Sequence, residues 1–194
     1  GIDIPVIYMN QSHSNSVVLV EDTDVLNQLF LDVQLDLADV RLLPKRYEDH
    51  VDRIVTVGAD ALITSSYQWA LSVKTADCLP IYIMGESYIA VIHAGRKGTL
   101  SKITESVCYA FRHFGETDIS VWFGPASCVC CYEIDADTAT HYDLVLENKS
   151  QVESVYSMDQ ITYMNKKGHQ YCTQCDPSYF YSYRLGDQYE RNRF

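Results

Sequence analysis

The chain of 194 residues carries 26 acidic and 15 basic side chains, which give a formal net charge of −11 and a pI of about 4.8. Nucleic-acid-binding proteins cluster Lys and Arg against phosphates, so this balance argues against a nucleic-acid partner. No apolar run approaches the ~20 residues that a membrane-spanning helix needs, so no membrane association is expected. Seven cysteines, an odd number, argue against a secreted disulfide framework. We therefore expect a cytoplasmic protein with a small-molecule ligand, folded as one domain over residues 1–194.

The first half of the chain is rich in predicted strands. Runs of β-branched and aromatic residues between turn signals predict strands at Pro5–Met9, Val17–Val20, Ile54–Val57, Ala61–Thr64, Trp69–Lys74, Leu79–Met84 and Tyr88–Ile92. A polar turn over residues 10–15 separates the first two strands and contains His13. The apolar stretch Leu26–Leu37 indicates a helix, and the charged segment Arg41–Asp52 indicates a connection.

After Gly98 the hydrophobic period changes to three and four residues. Apolar side chains recur at Leu100, Ile103, Val107, Ala110, Phe111 and Phe114. This pattern predicts an amphipathic helix that begins near Thr99 and ends at Gly115. A second helix is predicted over Thr138–Leu146, and further strands at Ile119–Phe123, Ile161–Met164, His169–Cys172 and Tyr179–Arg184. Strands outnumber helices and many connections are short, so the predicted fold class is α+β, with a mixed β-sheet core flanked by helices.

Two polar turns interrupt this strand-rich centre. Asp77 and Cys78 directly precede the strand Leu79–Met84, and His93 directly follows the strand Tyr88–Ile92. If these strands are antiparallel neighbours, Cys78 and His93 lie at the same end of the sheet, close enough to touch. A lone Cys at a strand edge is usually a small buried hydrophobe, and a lone His is usually a satisfied core or surface residue. A thiolate and an imidazole placed together are instead good ligands for zinc or copper.

Four short motifs follow one another through the chain. They read Thr-Ala-Asp-Cys-Leu-Pro over 75–80, His-Ala-Gly over 93–95, Gly-Pro-Ala over 124–126 and Cys-Cys-Tyr-Glu over 130–133. In order and spacing they resemble the laccase-domain (YfiH-like) family, which has been described as polyphenol oxidase or laccase. Further segments that resemble this family are Gln-Ser-His over 11–13, the strand over 60–64 and Tyr-Ser-Tyr-Arg over 181–184. The resemblance covers nearly the whole chain.

The resemblance implies a transition-metal site made of two His and one Cys. Carried over by motif, the ligands are His13, Cys78 and His93, with zinc or copper as the metal. Members of the family are assigned purine nucleoside phosphorylase, methylthioadenosine phosphorylase and adenosine deaminase activity. The resemblance therefore implies an enzyme that acts on a purine nucleoside, with phosphate as co-substrate. Three protein ligands with one open position are typical of a catalytic zinc site.

The chain departs from the family pattern near the expected substrate pocket. Arg96 and Lys97 stand where the family usually has Trp-Arg before Gly98, and residues 127–129 differ from the usual ones. The family's N-terminal segment, with its Arg-Gly-Gly-type turn, is not found in residues 1–194. These differences affect the expected substrate pocket more than the expected metal ligands.

Phosphorolysis of a nucleoside needs an anion site beside C1′ of the ribose. Because Arg96 and Lys97 precede the predicted helix, whose N-terminus offers free N–H groups, we predict that they bind phosphate or a substrate anion; a solvated basic turn is the alternative. Asp77 is predicted to orient a histidine ligand or to act as a general base, and a turn-forming Asp is the alternative. Together with Cys78 and His93 it forms the predicted catalytic set.

Two other enzyme classes can use these residues. A cysteine hydrolase or amidase, such as one that edits cell-wall precursors, would use Cys78 as nucleophile and His93 as base, and would need no metal. The second class is a copper-dependent polyphenol oxidase. A full multicopper site needs many histidines and the chain has six, so a laccase reaction is expected only as a side activity of copper-loaded protein. Ligand-like spacing is not seen at His50, His113, His141 or His169.

A non-enzymatic zinc module is a further alternative, since it would need only a closed thiolate site. Cys172 and Cys175 have the CxxC spacing of zinc sites. Cys130 and Cys131 are adjacent and are expected to point to opposite faces of a strand, so together with Cys128 they do not form a convincing ligand group. The sequence therefore leaves a second metal site open.

Overall fold

A computed structural model describes residues 6–20, 40–42, 54–164 and 171–186. The strands in these ranges are β1 Val6–Met9, β2 Val17–Leu19, β3 Val40–Leu42, β4 Ile54–Val57, β5 Ala61–Thr64, β6 Ala70–Ser72, β7 Leu79–Met84, β8 Ile89–Ala94, β9 Ile119–Phe123, β10 Glu133–Asp135, β11 Thr140–His141 and β12 Ile161–Tyr163. The helices are α1 Arg96–Leu100, α2 Ile103–His113 and α3 Leu144–Glu153, with a 3₁₀ turn at Met158–Gln160. Each helix in the described ranges is too short or too polar to span a bilayer. The combination of a mixed sheet with helices confirms the predicted α+β class.

Seven strands form the main sheet, in the order β12-β9-β7-β8-β5-β2-β3. The central strands β9, β7, β8 and β5 are antiparallel, whereas β12 pairs parallel to β9, and β2 pairs parallel to β5 and to β3. Pro80 of β7 lies opposite His93 of β8. The predicted antiparallel pairing of these two strands is therefore confirmed, and it places Cys78 and His93 at the same end of the sheet.

Each face of the main sheet packs against a different layer, because successive side chains of a strand point to opposite faces. One face packs on the helices and forms a core that includes Ile81, Ile83, Ile92, Ile103, Val107 and Phe111. The other face packs on a parallel three-stranded sheet of order β4-β1-β6, through Ile7, Met9, Val18, Leu62 and Val91. Full burial of each such side chain contributes about 1.5–3 kcal/mol, so both layers hold the central strands in place.

The predicted helix after Gly98 is divided in two and begins earlier than expected. Helix α1 begins at Arg96, and the chain then turns at Lys102, whose φ of 65° breaks the helical path before α2 begins. Leu100, predicted as a core residue, is 58% exposed. The expected start near Thr99 was wrong, since α1 already contains the buried residues Gly98 and Thr99. Gly98 lets α1 pack closely on the turn after β1, because a Cβ at this position would lie 2.8 Å from the backbone oxygen of Ser14.

Several predicted boundaries near the site also differ from the structure. Strand β8 continues to Ala94, so His93 lies inside the strand. The helix predicted over Thr138–Leu146 begins only at Leu144, where the side chain of Asp143 caps it by accepting the N–H of Leu146. The segment Tyr179–Arg184 forms turns, because the N–H groups of residues 179 and 180 both donate to the oxygen of Asp176. The predicted helix Leu26–Leu37, most of Arg41–Asp52, His50 and His169 lie outside the described residues.

Candidate functional site

The side chains of His13, Cys78 and His93 meet at one end of the main sheet. Cys78 Sγ lies 3.6 Å from His13 Nε2, and the centroids of the two imidazole rings are 4.7 Å apart. One ligand atom from each of the three residues lies within 4.8 Å of the other two. The structure therefore brings together all three predicted metal ligands, although they come from the turn after β1, the turn before β7 and the strand β8.

Asp60 builds the turn that carries His13. Its carboxylate accepts the backbone N–H groups of Ser12, His13 and Ser14 at 3.2, 3.0 and 2.8 Å, and the hydroxyls of both serines at 3.2 and 2.6 Å. The same carboxylate lies 2.8 Å from Nδ1 of His93. These contacts hold His13 at a φ of 61°, a left-handed backbone that costs a non-glycine residue about 1–2 kcal/mol. One buried acid thus positions both histidines.

The charges around Asp60 prepare both imidazoles to bind a metal. Burial opposes ionisation of Asp60, but hydrogen bonds from His93, Ser14 and Ser12 hold the pKa of this carboxyl well below its ordinary value. The ionised Asp60 carboxylate therefore accepts a hydrogen bond from Nδ1–H of His93, which leaves Nε2 of that ring free to act as a ligand. Burial and the neighbouring His93 lower the pKa of His13, which favours the neutral form of the His13 imidazole.

Cys78 completes a donor set that fits zinc or copper. Burial and the nearby Asp77 raise the pKa of the Cys78 thiol to about 11. The bare thiol is therefore protonated at neutral pH, and a cation beside it favours the thiolate. Gly95 leaves room for this approach, since a Cβ there would lie 2.8 Å from His13 Cδ2 and 3.0 Å from Cys78 Sγ. Two imidazoles and one thiolate are ligands that both metals prefer.

A pocket of about 460 Å³ opens beside these ligands, a volume suited to a small molecule. Three cations, Arg96, Lys97 and Arg184, and one acid, Glu133, are among its lining residues. The rest of the lining is Ser12, His13, Cys78, Tyr132 and Ile134. The pocket is therefore locally cationic in a chain whose net charge is −11, which favours an anionic ligand.

Aromatic rings order two of the pocket cations. The guanidinium of Arg184 lies 4.3 Å from the centroid of the Tyr132 ring and donates to the backbone oxygen of Glu133 at 3.0 Å. The guanidinium of Arg96 lies 5.7 Å from the Tyr142 ring, which in turn meets Tyr132 edge to face. Each such cation–π contact contributes about 0.5–1 kcal/mol at an exposed site, so both arginines are held in place before a ligand arrives.

Comparison with known proteins identifies the family. A family model described as multi-copper polyphenol oxidoreductase laccase matches residues 1–192. The chain belongs to this laccase-domain family. It is similar to the purine nucleoside phosphorylases of Aquifex aeolicus (27% identity over 159 residues, 76% of this chain and 77% of the relative) and Xylella fastidiosa (28% over 156 residues, 69% and 58%). It is also similar to adenosine deaminase RL5 from an unknown prokaryotic organism (29% over 149 residues, 66% and 57%).

Solved structures of two other proteins share the fold. The hypothetical protein YfiH of Bacillus licheniformis aligns with a TM-score of 0.64 and 23% identity, over 92% of this chain and 68% of its own. YlmD of Geobacillus stearothermophilus aligns with a TM-score of 0.64 and 21% identity, over 94% and 68%. The matched regions span less than two thirds of the Xylella relative and of the RL5 deaminase.

Asp77 occupies a different place in this laccase-domain chain from the one predicted. Its carboxylate accepts the hydroxyl of Thr173 at 2.6 Å and the backbone N–H of Arg184 at 2.8 Å. The acid that contacts His93 is Asp60, and the expected orienting role falls to that residue. Asp77, at a φ of 88°, instead holds the segment that carries Arg184 against the turn before β7.

Sequence reasoning overlooked two residues of the site. Asp60 was noted only as the start of a strand, although an acid just before a buried strand needs hydrogen-bond donors, which the Ser-His-Ser turn supplies. Arg184 was placed in a predicted strand, and turn geometry instead directs its side chain to the pocket. Arg96 and Lys97 do line the pocket, but they lie within the five-residue helix α1 and not before a helix N-terminus.

Proposed function

We propose that the chain is a metal-dependent purine nucleoside phosphorylase with adenosine deaminase-type activity at the same centre. The observation that carries the proposal is the position of the His13, Cys78 and His93 ligand set beside a cationic pocket in an acidic chain. Relatives named purine nucleoside phosphorylase and adenosine deaminase support it. The substrates proposed are adenosine, inosine and methylthioadenosine, with inorganic phosphate as co-substrate.

The metal ligands and the pocket have separate tasks in this proposal. A zinc or copper ion held by His13, Cys78 and His93 supplies Lewis acidity at the end of the pocket. Asp60 fixes the orientation of both imidazoles, so little reorganisation is needed when a substrate binds.

In phosphorolysis, a phosphate oxygen forms a bond to C1′ of the ribose while the bond from C1′ to the purine nitrogen breaks. The purine leaves with the proton that the attacking hydrogen phosphate gives up, and ribose 1-phosphate is the second product. Arg96, Lys97 and Arg184 offer the N–H donors that hold the phosphate, and a guanidinium can bind two of its oxygens at once. Tyr132 presents an aromatic ring on which a purine can stack.

Deamination needs water to add at C6 of adenosine and ammonia to leave. One proton must move from the water to the departing amine. Glu133 is the carboxylate that the described pocket lining offers for this transfer, in place of the predicted Asp77. The two reactions therefore share the metal ligands and differ in whether phosphate occupies the cationic part of the pocket.

A cysteine hydrolase is the second candidate function, favoured by the 3.6 Å contact between Cys78 Sγ and His13 Nε2. A thiol nucleophile must be ionised to react, and the raised pKa of Cys78 opposes this. The histidine in this 3.6 Å contact with the thiol is His13, whereas the sequence predicted His93 as the base.

The decisive experiment incubates zinc-loaded protein with adenosine or inosine, with and without phosphate, and separates the products by chromatography. We expect phosphate-dependent release of free purine and phosphate-independent conversion of adenosine to inosine. Both should be lost in Cys78→Ala and retained in Cys108→Ala, since Cys108 is buried in α2 away from the pocket. Absence of both products from protein with a full metal centre would contradict the proposal. Turnover of an amide by metal-free protein, with Cys78 trapped covalently, would support the hydrolase.

Lys97→Ala tests the anion site directly. A hydrogen bond from a charged group to phosphate contributes about 1.5–3 kcal/mol to binding, so we expect its loss to raise the KM for phosphate at least about tenfold. Deamination of adenosine should change little, because it needs no phosphate. Lys149→Ala is the matched control, since Lys149 lies on α3 outside the pocket and pairs with Glu153. An unchanged phosphate dependence in Lys97→Ala would show that this lysine is only a solvated surface residue.

A further inference from the structure

Five of the seven cysteines lie together where the segment after β9 meets the segment 171–186: Cys128, Cys130, Cys131, Cys172 and Cys175. Residues 128–131 form a tight turn, because the N–H groups of Cys131 and Tyr132 both donate to the oxygen of Cys128 at 2.9 Å. The expectation that Cys130 and Cys131 point to opposite faces of a strand was therefore wrong. The turn instead directs neighbouring thiols to one point.

Four of these sulfurs have the spacing of a tetrahedral metal site. The Sγ atoms of Cys128, Cys130, Cys131 and Cys175 all lie within 4.8 Å of one another. The distances are 2.8 Å for 128–130, 3.9 Å for 128–175, 3.9 Å for 130–131 and 3.5 Å for 131–175. A zinc ion with Zn–S bonds of about 2.3 Å has sulfur–sulfur edges of roughly 3.8 Å, which these values bracket.

The fifth cysteine shapes the site from behind. The buried sulfur of Cys172 accepts the backbone N–H groups of Cys128 and Cys175, each at 3.4 Å. A parallel bridge between Ala126 and Cys172 joins the two segments next to these contacts. Cys172 thus fixes the backbone on both sides of the cluster, and the four remaining thiols face one another.

We propose that Cys128, Cys130, Cys131 and Cys175 form a closed tetrathiolate site for a structural zinc ion, separate from the His13, Cys78 and His93 centre. On binding, the four thiols release their protons to water and each sulfur donates an electron pair to the metal. All four coordination positions are then occupied by protein, which leaves none for a substrate. The inference does not depend on the proposed enzymatic function.

Such a site would fasten the wall of the substrate pocket. Cys131 directly precedes Tyr132 and Glu133, which line the pocket, and Cys175 belongs to the segment that carries Arg184. Besides the Ala126–Cys172 bridge, the two segments meet through side-chain hydrogen bonds, such as that from the Gln174 amide to the Ser127 hydroxyl at 2.5 Å. A metal bound to both segments would hold the Arg184 side chain and the Tyr132 ring at a fixed separation.

Metal counting separates the two sites. Protein purified under reducing conditions and supplied with zinc should hold two zinc ions per chain, measured by mass spectrometry of the metal. Cys131→Ser and Cys175→Ser should each hold one, and His13→Ala should also hold one. Cys108→Ala should keep two, because Cys108 belongs to neither group. Cobalt-loaded His13→Ala should show tetrahedral visible bands with intense sulfur-to-cobalt charge transfer, which only the four-thiol site can give.

Two results would overturn the proposal. One is an equal zinc content in wild type and in Cys131→Ser and Cys175→Ser. The other is an intact chain whose mass is lower by two hydrogen atoms, with the loss mapped to a Cys128–Cys130 disulfide, and which binds no second metal ion after the disulfide has been reduced. If a serine variant is recovered unfolded, the cobalt spectrum of His13→Ala decides alone, and absence of the thiolate bands would then contradict the site.

Discussion

Replacement of Asp60 by Asn is expected to weaken metal binding by about 10–100-fold, the usual effect of removing the partner of a histidine ligand. The carboxylate accepts six hydrogen bonds, from His93 and from the turn 12–14. An amide of the same shape has one accepting oxygen, and its NH2 group would face a donor. Because hydrogen bonds to a charged group contribute about 1.5–3 kcal/mol each, we also expect the free energy of unfolding to fall by roughly 2–4 kcal/mol.

Zinc titration against a competing chelator and denaturant unfolding of the metal-free protein measure these two effects. Asp137→Asn is the matched control, because Asp137 is exposed and should leave both quantities unchanged. Metal affinity equal to wild type in Asp60→Asn would show that His13 and His93 do not depend on this carboxylate. A loss of stability without a loss of affinity would limit Asp60 to holding the turn.

Some parts of the site could be predicted from the sequence, and the part that depends on Asp60 could not. Cys78 and His93 flank a short hairpin, so strand pairing alone predicts their meeting, and the register of β7 and β8 confirms it. His13 is 65 residues from Cys78, and only the family resemblance suggested it. Its place depends on a left-handed turn whose donors all converge on one acid, and such a long-range arrangement has no local periodicity to reveal it.

The central strands were easier to predict than the segment Tyr179–Arg184, because local composition specifies them. Buried central strands such as Ala61–Thr64 and Ile119–Phe123 are specified by their own β-branched and aromatic residues, and the structure reproduces their predicted bounds. The segment Tyr179–Arg184 is rich in aromatic residues but lies outside the main sheet, where the hydrogen bond from the Arg184 N–H to Asp77 helps to set its path. Composition predicts a strand only where a neighbouring strand supplies the hydrogen bonds.

The cysteines at 128, 130 and 131 illustrate a different limit, because the sequence gives their spacing but not the backbone conformation of the segment that carries them. Adjacent cysteines point apart in a strand but can converge in a turn, as residues 128–131 do. The turn follows Ser127, whose N–H donates to the backbone oxygen of Asp77. The side chain of Asp77 accepts the N–H of Arg184, so Asp77 contacts both segments that line this side of the pocket. The cysteine cluster and the His13, Cys78 and His93 group therefore both adjoin the turn at Asp77 and Cys78.

Gly95→Ala is expected to abolish metal binding at the His13, Cys78 and His93 centre while leaving the fold intact. The φ of Gly95 is −79° and its ψ is 170°, values that alanine adopts without strain, so the backbone should not change. The new Cβ would lie 2.8 Å from His13 Cδ2 and 3.0 Å from Cys78 Sγ. To relieve these contacts the two ligands must separate, and metal coordination tolerates displacements of only about 0.2 Å from ideal distances.

Gly58→Ala is the control that separates this effect from the loss of a glycine. A Cβ at Gly58 would meet nothing within 4 Å, so zinc content and activity should equal those of wild type. Circular dichroism should show the same fold for both variants, and zinc content should fall only in Gly95→Ala. Wild-type zinc content in Gly95→Ala would mean that His13 can move aside and still bind, which its contacts with Asp60 oppose. The one added methyl group therefore tests whether the ligand set is rigid before the metal arrives.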